Sequence, residues 1–301
     1  MATTTPTRTS AQRPPIARRR HYGRWTAAVI LLLVAAVVAH SLVTNPRYEW
    51  GVAFTWFHSP RILLGLLRTL ELTAVSMLIG VVLGGVVGVM RMSSNPVVAA
   101  VAWFYVWLFR GTPVFVQLLF WGSISALYPV ITVGIPFGPA FAHFSANDVV
   151  TPFIAAILGL GLNEGAYMAE IVRAGLRSVD PGQREAAAAL GMNPSRALVR
   201  IVMPQAMPVL IPPTANELIG LLKSSSMVSV LAFPELLYSA QLIYSDNYQT
   251  IPLLLTASIW YLVVTSVLSV GQYFLERHYG RSFSARVSRR AVLAPKGGSA
   301  V

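Results

Sequence analysis

Charged residues are scarce in this chain, and cysteine is absent. Of the 301 residues only 11% are charged, while 55% are hydrophobic; soluble domains carry about 25% charged residues. A chain with so little polar surface has to cover its outside with lipid. The lack of cysteine excludes disulfides, thiolate metal sites and cysteine nucleophiles. The composition therefore predicts an integral membrane protein.

Lysine is also rare, and neither of the two lysines follows a glycine. Lys223 follows Leu222, and Lys296 follows Pro295. A phosphate-binding loop of the G-x-x-x-x-G-K-[ST] type needs a Gly–Lys pair, so this chain cannot bind ATP in that way. The catalytic patterns G-x-S-x-G and H-E-x-x-H are missing too. We predict no catalytic residue, no metal and no cofactor in this chain.

Long apolar runs dominate what is present. Six of them reach the roughly 20 residues that a helix needs to cross a hydrocarbon core. Lipid offers the backbone no hydrogen-bond partners, so each run is predicted to be a helix, giving an all-α integral membrane fold. The first run is too long for the roughly 7–15-residue core of a signal peptide and is expected to be retained. The predicted spans are 25–44, 62–90, 97–122, 150–172, 209–232 and 250–275.

The net charge of +12 is concentrated on one side of these spans. Arginines crowd residues 8–24, 173–200 and 277–290, whereas residues 123–150 and 234–249 have neither lysine nor arginine. Because positively charged loops stay in the cytoplasm, both termini are predicted to be cytoplasmic. The charge thus marks topology and contact with anionic membrane lipids, not nucleic acid. Residues 1–24, rich in Thr, Pro and Arg, are predicted to be a disordered basic tail.

One cytoplasmic stretch, residues 180–204, is here named the alanine-rich segment. Its order predicts a helix that Asp180 caps and that ends at Gly191 in the left-handed conformation. Asn193 starts a second short helix, which Pro204 is expected to end. Alanines on an exposed short helix let another surface approach closely. The segment is either a docking site for a partner or a solvated link between spans.

The same segment resembles the coupling motif of the membrane subunits of bacterial ABC importers. That motif is EAA, three residues, Gly, nine residues, and Ile-x-Leu-Pro; methionine replaces the leucine here, which conserves volume. The resemblance implies that this helix inserts into a cleft of a separate ATP-binding subunit. The residues that carry the match, and thus the predicted ATPase-coupling residues, are Glu185, Ala186, Ala187, Gly191, Ile201, Met203 and Pro204.

Four further stretches resemble polar amino-acid permeases of the histidine, glutamine and arginine type. They are residues 66–93, 109–121, 165–187 and 221–236. The resemblance implies a five-helix permease domain at residues 60–275, an extra N-terminal transmembrane helix at 25–44 and a basic cytoplasmic tail at 276–301.

The same resemblance implies an assembly in a bacterial plasma (inner) membrane. Its other members are ABC ATPase subunits that use ATP and Mg²⁺, a second permease chain and an extracytoplasmic substrate-binding protein. The second permease is either another copy of this chain or a sister chain. The amino acid itself is left open.

Polar residues inside the spans are candidates for the substrate path, because ionisable groups in lipid are costly. Arg68 and Glu71 either pair with each other or Glu71 binds a substrate ammonium group. Gly165 is expected to loosen its helix beside Glu164, and Pro113 to kink the third span. The path candidates are Glu71, Gln117, Glu164, Ser224, Ser225 and Ser226.

Gly80, Gly84 and Gly88 form a small-xxx-small pattern for close helix approach. Packing within this chain is the first interpretation, and a seam with a second permease is the alternative. At the level of function, the alternative to an ATP-driven importer is an ion-coupled secondary transporter. That alternative explains acidic residues in spans but gives no reason for the coupling motif. A membrane scaffold without a path would have little reason to carry such residues.

Overall fold

The computed structural model describes residues 22–135 and 139–293. The tail predicted for residues 1–24 lies almost wholly outside these residues, as does the end of the tail predicted for 276–301. The chain divides into two units, one ending at Tyr48 and the other beginning at Glu49. The first unit contains α1 and the 3₁₀ segment Pro46–Tyr48, and the second contains every other element named below.

The described residues are overwhelmingly helical. Their α-helices are α1 Tyr22–Thr44, α2 Trp50–Phe57, α3 Pro60–Met90, α4 Pro96–Gly111, α5 Val114–Gly122, α6 Ile124–Leu127, α7 Ala146–Val149, α8 Pro152–Arg177, α9 Pro181–Ala189, α10 Pro194–Ala197, α11 Met203–Ser224, α12 Leu236–Asn247 and α13 Thr250–Leu293. Short 3₁₀ segments lie at Pro46–Tyr48 and Ser225–Leu231, and a π-helical turn at Leu198–Val202.

A small hairpin interrupts the helices between α6 and α7. Strand β1, Val130–Gly134, pairs antiparallel with β2, Ala140–Ser145, and Ile131 lies opposite Phe144. The hairpin falls in the stretch that lacks lysine and arginine, where the sequence predicts a loop on the outer side. It is the one departure from helix-and-loop structure among the described residues.

Three helices of the described chain are long and apolar enough to cross a membrane: α1, α3 and the first 30 residues of α13. The number rises to five if two bent pairs, α4 with α5 and residues 194–231 with α12, each form one span. Helix α8 lies outside this set because it is less apolar, but its 26 residues reach about 39 Å, enough to cross a core of about 30 Å.

The centre of the second unit is the contact between α3 and α8. A Cβ atom added at Gly80 would lie 2.5 Å from the Glu164 Cγ, and a Cβ atom added at Gly88 would lie 2.8 Å from the Val172 side chain. At Gly84 the neighbours are the Met168 Cβ and two backbone atoms of α8, one of them the Gly165 carbonyl oxygen at 2.9 Å. The three glycines therefore let two helix backbones meet, and the interpretation as packing within this chain is confirmed.

The third predicted span is broken, as Pro113 led us to expect. Helices α4 and α5 meet at an angle of 99° across Thr112 and Pro113. The prediction for Gly165 is wrong, because α8 runs unbroken through it. Its missing side chain instead makes room for the Tyr105 hydroxyl, which lies 2.7 Å from the position a Cβ would take.

The predicted end of the second cytoplasmic helix at Pro204 is also wrong. The π-helical turn Leu198–Val202 leads directly into α11, and Pro204 lies in the first turn of that helix. A proline there removes an N–H that has no helical partner anyway, so the helix continues. Helix α11 thereby joins the alanine-rich segment to the interior of the second unit without a break.

Candidate functional site

A polar cavity of about 550 Å³ lies beside the break between α4 and α5, and is here named the cleft. Helices α8 and α11 supply its other walls. It combines carboxylate, guanidinium, amide and hydroxyl groups inside an otherwise apolar body. The polar side chains that line it are Arg110, Thr112, Asn163, Glu164, Tyr167, Glu217 and Ser224.

The break that opens the cleft is held by Gln117. Its side-chain nitrogen donates to the Phe109 carbonyl oxygen at 2.9 Å, and to the Thr112 carbonyl and hydroxyl oxygens at 3.1 and 2.8 Å. Asn163 of α8 donates to the same Phe109 oxygen at 2.8 Å. Breaking a helix frees carbonyl groups that have to be satisfied in a membrane. These two amides satisfy them and fix residues 110–113 at the edge of the cleft.

Two carboxylates face the cleft. Glu164 is only 5% exposed, and its Oε1 has no hydrogen-bond partner in the described residues. Glu217, on α11, is half-buried. A buried carboxylate without a partner is costly, and such groups inside a membrane mark ligand or ion pathways. The arrangement is therefore suited to cationic groups of a ligand.

Arg110 brings the one positive charge to the cleft lining. Its guanidinium lies 4.9 Å from the centroid of the Tyr167 ring, within the range of a cation–π contact. In the described part of the chain the two ion pairs within 4.0 Å both belong to Glu170, with Arg91 and with Arg173. Arg110 is therefore held by an aromatic face and makes no close ion pair with a carboxylate.

A second cavity of about 390 Å³, here named the groove, lies along the C-terminal half of α8. Trp103 and Trp107 of α4 form part of its wall. Glu170 also lines it, with its carboxylate 3.2 Å from the Arg91 guanidinium and 2.9 Å from the Arg173 Nε. Cleft and groove share Arg110, Gly111 and Tyr167, so the two cavities adjoin along α8 and are together named the polar track.

The alanine-rich segment has the local structure that its order predicts. The Asp180 side chain accepts from the Gly182 N–H at 3.0 Å, and the Asn193 side chain accepts from the Ser195 N–H at 3.0 Å. Gly191 has a φ of 71°, the left-handed conformation that ends α9. The left-handed end at Gly191 and the two caps are confirmed.

This segment is anchored on one face and open on the other. Ala187 is 1% exposed, and Ala197 and Val202 are buried, whereas Leu190 is 81% exposed. Val202 packs in an apolar cluster with residues of α8 and α11. An exposed leucine beside exposed alanines is an apolar surface available to a partner. Among the other motif residues, Glu185, Ala186, Gly191 and Pro204 are exposed, and Ile201 and Met203 are half-buried.

The predicted path residues separate into three groups. Glu164 and Ser224 line the cleft. Gln117, Ser225 and Ser226 bond to nearby backbone: Ser225 to the Leu222 carbonyl at 2.6 Å and Ser226 to the Lys223 carbonyl at 2.7 Å. Glu71 is exposed on α3, outside the cleft, and no ion pair joins it to Arg68 in the described residues.

Sequence reasoning missed Glu217 and Glu235. Glu217 was visible as a carboxylate within the fifth predicted span, which is itself a signal. Glu235 is fully buried and caps α12, accepting from the Leu237 and Tyr238 N–H groups at 2.8 and 2.6 Å and from the Tyr261 hydroxyl at 3.0 Å. It fixes the turn that follows the 3₁₀ segment Ser225–Leu231. Its burial depends on α13, so no local pattern revealed it.

Comparison with known proteins agrees with the fold. The family described as binding-protein-dependent transport system inner membrane component matches residues 77–281. The arginine transport system permease protein ArgU of Corynebacterium glutamicum is 45% identical, over 96% of this chain and 91% of that protein. The nopaline transport system permease protein NocM of Agrobacterium fabrum is 35% identical, over 73% of this chain and 89% of that protein.

Solved structures show the same architecture. The crystal structure of an amino acid ABC transporter with histidines contains a chain 36% identical to this one, with a TM-score of 0.60, covering 73% of this chain and 94% of that one. The MetNI methionine ABC transporter, in an inward-facing conformation, contains a chain with a TM-score of 0.56 over 73% of this chain and 99% of that one. At 21% identity the second likeness concerns the fold alone.

A membrane-spanning helical body with a polar cleft and a segment that carries the coupling motif is the architecture of a transporter permease. The chain belongs to the binding-protein-dependent transport system inner membrane component family. It is the multi-pass inner-membrane permease subunit of an ABC importer, in the amino-acid uptake group of that family. ATP hydrolysis in this family belongs to a separate ATPase, so the chain is not an enzyme. The predicted fold class and function are confirmed over the ion-coupled alternative.

Proposed function

We propose that this permease moves a cationic amino acid of the arginine type, and that the cleft is where the substrate passes. The observation that carries the proposal is the charge of the cleft lining: two carboxylates, Glu164 and Glu217, and one guanidinium, Arg110. A cationic amino acid carries two positive groups and one carboxylate. The two sets of charges are complementary one for one, whereas a neutral or acidic amino acid leaves at least one cleft carboxylate unpaired.

The energetic argument favours the same class. An unpartnered carboxylate oxygen such as that of Glu164 costs free energy until a donor reaches it. A guanidinium or ammonium group supplies several N–H donors and a charge at once. The arginine permease of Corynebacterium glutamicum, 45% identical to this chain, supports the proposal.

The family and the alanine-rich segment support a proposal for the other subunits of the importer. A cytoplasmic ABC ATPase that uses ATP and Mg²⁺ docks on Glu185, Ala186, Ala187, Gly191, Ile201, Met203 and Pro204, next to the exposed Leu190. Both termini lie in the cytoplasm. A second permease chain, identical or sister, completes the path, and an extracytoplasmic binding protein delivers the substrate. Lipids surround the assembly, and nucleic acid has no part in it.

Uptake of labelled L-arginine and L-glutamine by the intact importer in cells tests the substrate class. We expect L-arginine to be taken up in preference to L-glutamine. Glu164→Gln or Glu217→Gln should raise the KM for L-arginine by about tenfold or more, because each removes a charge-assisted hydrogen bond to the substrate. Glu71→Gln is the matched control, because Glu71 is exposed outside the cleft. Preferred uptake of L-glutamine, or an unchanged KM in both cleft variants, would reject the cationic class.

A further inference from the structure

Arg110 lies where the two cavities of the polar track meet. The cleft, of about 550 Å³, and the groove, of about 390 Å³, share Arg110, Gly111 and Tyr167. Gly111 offers no side chain, so the guanidinium and the Tyr167 ring form the boundary. A solute that moves from cleft to groove has to pass this pair.

The position of Arg110 is fixed at the backbone. It stands at the end of α4, one residue before the break, and the carbonyl groups of Phe109 and Thr112 on either side accept from Gln117. The polypeptide around Arg110 is therefore rigid, while its long side chain reaches both cavities. A fixed backbone beneath a long cationic side chain is suited to hold an anion beside either cavity.

No carboxylate of the described residues forms an ion pair with Arg110 within 4.0 Å. Glu170, the carboxylate of the groove, is already bound by Arg91 and Arg173. Glu217 lines the cleft together with Arg110, but no ion pair within 4.0 Å joins the two in the described residues. The contact of the guanidinium carbon with the Tyr167 ring involves no oxygen acceptor, so the N–H groups of Arg110 remain donors for a ligand.

We infer that Arg110 binds the α-carboxylate of the transported amino acid at the junction of cleft and groove. The inference rests on the proposed function, in which Glu164 and Glu217 receive the positive groups. The planar guanidinium matches a carboxylate in a bidentate pair, which an ammonium group cannot reproduce. Because the side chain lines both cavities, it holds the carboxylate on either side of the Tyr167 ring as the substrate leaves the cleft.

The test measures ligand binding to the permease–ATPase complex in lipid nanodiscs without binding protein, so that only the selectivity of the membrane path is seen. The probes are L-arginine and agmatine, which is arginine without its carboxylate, and the readout is the apparent Kd from ligand-dependent thermal stabilisation. Wild type should bind L-arginine at least about tenfold more tightly than agmatine. In Arg110→Gln the ratio should fall to near one, with the Kd of agmatine unchanged.

Two further variants sharpen the result. Arg68→Gln removes an arginine that is exposed on α3 and lines neither cavity, and it should keep the wild-type ratio. Arg110→Lys keeps the charge without the planar fork and should give an intermediate ratio. It also serves as the test variant if Arg110→Gln fails to assemble.

A wild-type ratio retained in both Arg110 variants, or equal weakening of both probes, would overturn the inference. If wild type binds another amino acid instead of L-arginine, that amino acid and its decarboxylated amine take the place of the probes. Loss of their discrimination in Arg110→Gln would then support the role of Arg110 while rejecting the cationic class. A wild-type complex that discriminates against no decarboxylated analogue would overturn the role of Arg110.

Discussion

The alanine-rich segment and the cleft are built in opposite ways. In the segment, hydrogen bonds join residues a few positions apart, such as Asp180 to Gly182 and Asn193 to Ser195, and most side chains are exposed. In the cleft, the bond from Asn163 to Phe109 spans 54 positions, and the walls depend on α3 and α8 meeting at glycine. The exposed face of the segment can thus be altered with little effect on the body, whereas the cleft is tied to the packing of the body.

The difference fits two separate tasks. A docking segment has to present its surface to another protein, and short exposed helices with local caps do so at little cost to the rest of the chain. A cleft has to hold charges in fixed positions inside an apolar environment, which needs packing from several helices. We therefore expect mutations in the body to lower stability first and mutations in the segment to lower coupling first.

The largest loss of stability is expected from Gly84→Leu, which disrupts the packing of α3 against α8 behind the cleft. A side chain there meets α8 backbone, with the Ala169 nitrogen at 2.8 Å and the Gly165 oxygen at 2.9 Å from the new Cβ. We expect a loss of about 3 kcal/mol, the upper end of overpacking costs, and little folded protein. Thermal unfolding in detergent measures it. Gly85→Leu is the control, because nothing lies within 4 Å of that position; similar instability in both variants would contradict the packing argument.

A smaller loss is expected from Gln117→Leu, which removes the amide that braces the break. Unsatisfied buried carbonyl groups cost about 1–3 kcal/mol, so the unfolding temperature and the maximal uptake rate should fall together. Gln272→Leu removes a half-buried amide of α13 that bonds to the Asn216 and Glu276 side chains and to no carbonyl of the break, so it should lower both less. If Gln117 contacts substrate instead, only the KM should change, and unaltered stability would reject the brace.

The smallest effect on stability, with a clear effect on function, is expected from Gly191. Its φ of 71° costs a non-glycine residue about 1–2 kcal/mol, and asparagine tolerates it best. Gly191→Val should reduce uptake per ATP hydrolysed by roughly fivefold or more, while Gly191→Asn keeps most of it. The ratio of transport to ATPase activity in proteoliposomes measures this. If wild type and Gly191→Val have the same ratio of transport to ATPase activity, the segment is not part of the ATPase interface.

Much of this molecule could be predicted because membranes constrain sequence strongly. Long apolar runs predict helices, since lipid leaves the backbone no other partner. The caps at Asp180 and Asn193 and the turn at Gly191 depend only on neighbouring residues, and each was predicted correctly. Pro204 was misjudged because a preceding π-helical turn, which no local rule announces, carries the helix into α11.

The interior site was predicted less well. Glu164 and Ser224 were chosen as polar residues within spans and do line the cleft. Gln117 met the same criterion, yet its amide is directed at the backbone of its own broken helix. Glu71 is also a polar residue within a predicted span, but it lies on the exposed face of α3. Polarity in a span marks a residue that needs a partner, but not which partner it has.

By itself, the sequence determined that the chain spans lipid as a set of helices, that it lacks a phosphate-binding loop, and that residues 180–204 form a capped helix and turn. These three features follow from composition, from the length and spacing of apolar residues, and from contacts between residues that are close in the sequence. Only the tertiary structure decided that Glu164, Glu217 and Arg110 share one cleft, because they come from three helices. Distances between helices are set by side-chain packing across the whole body, and no stretch of sequence contains that information alone.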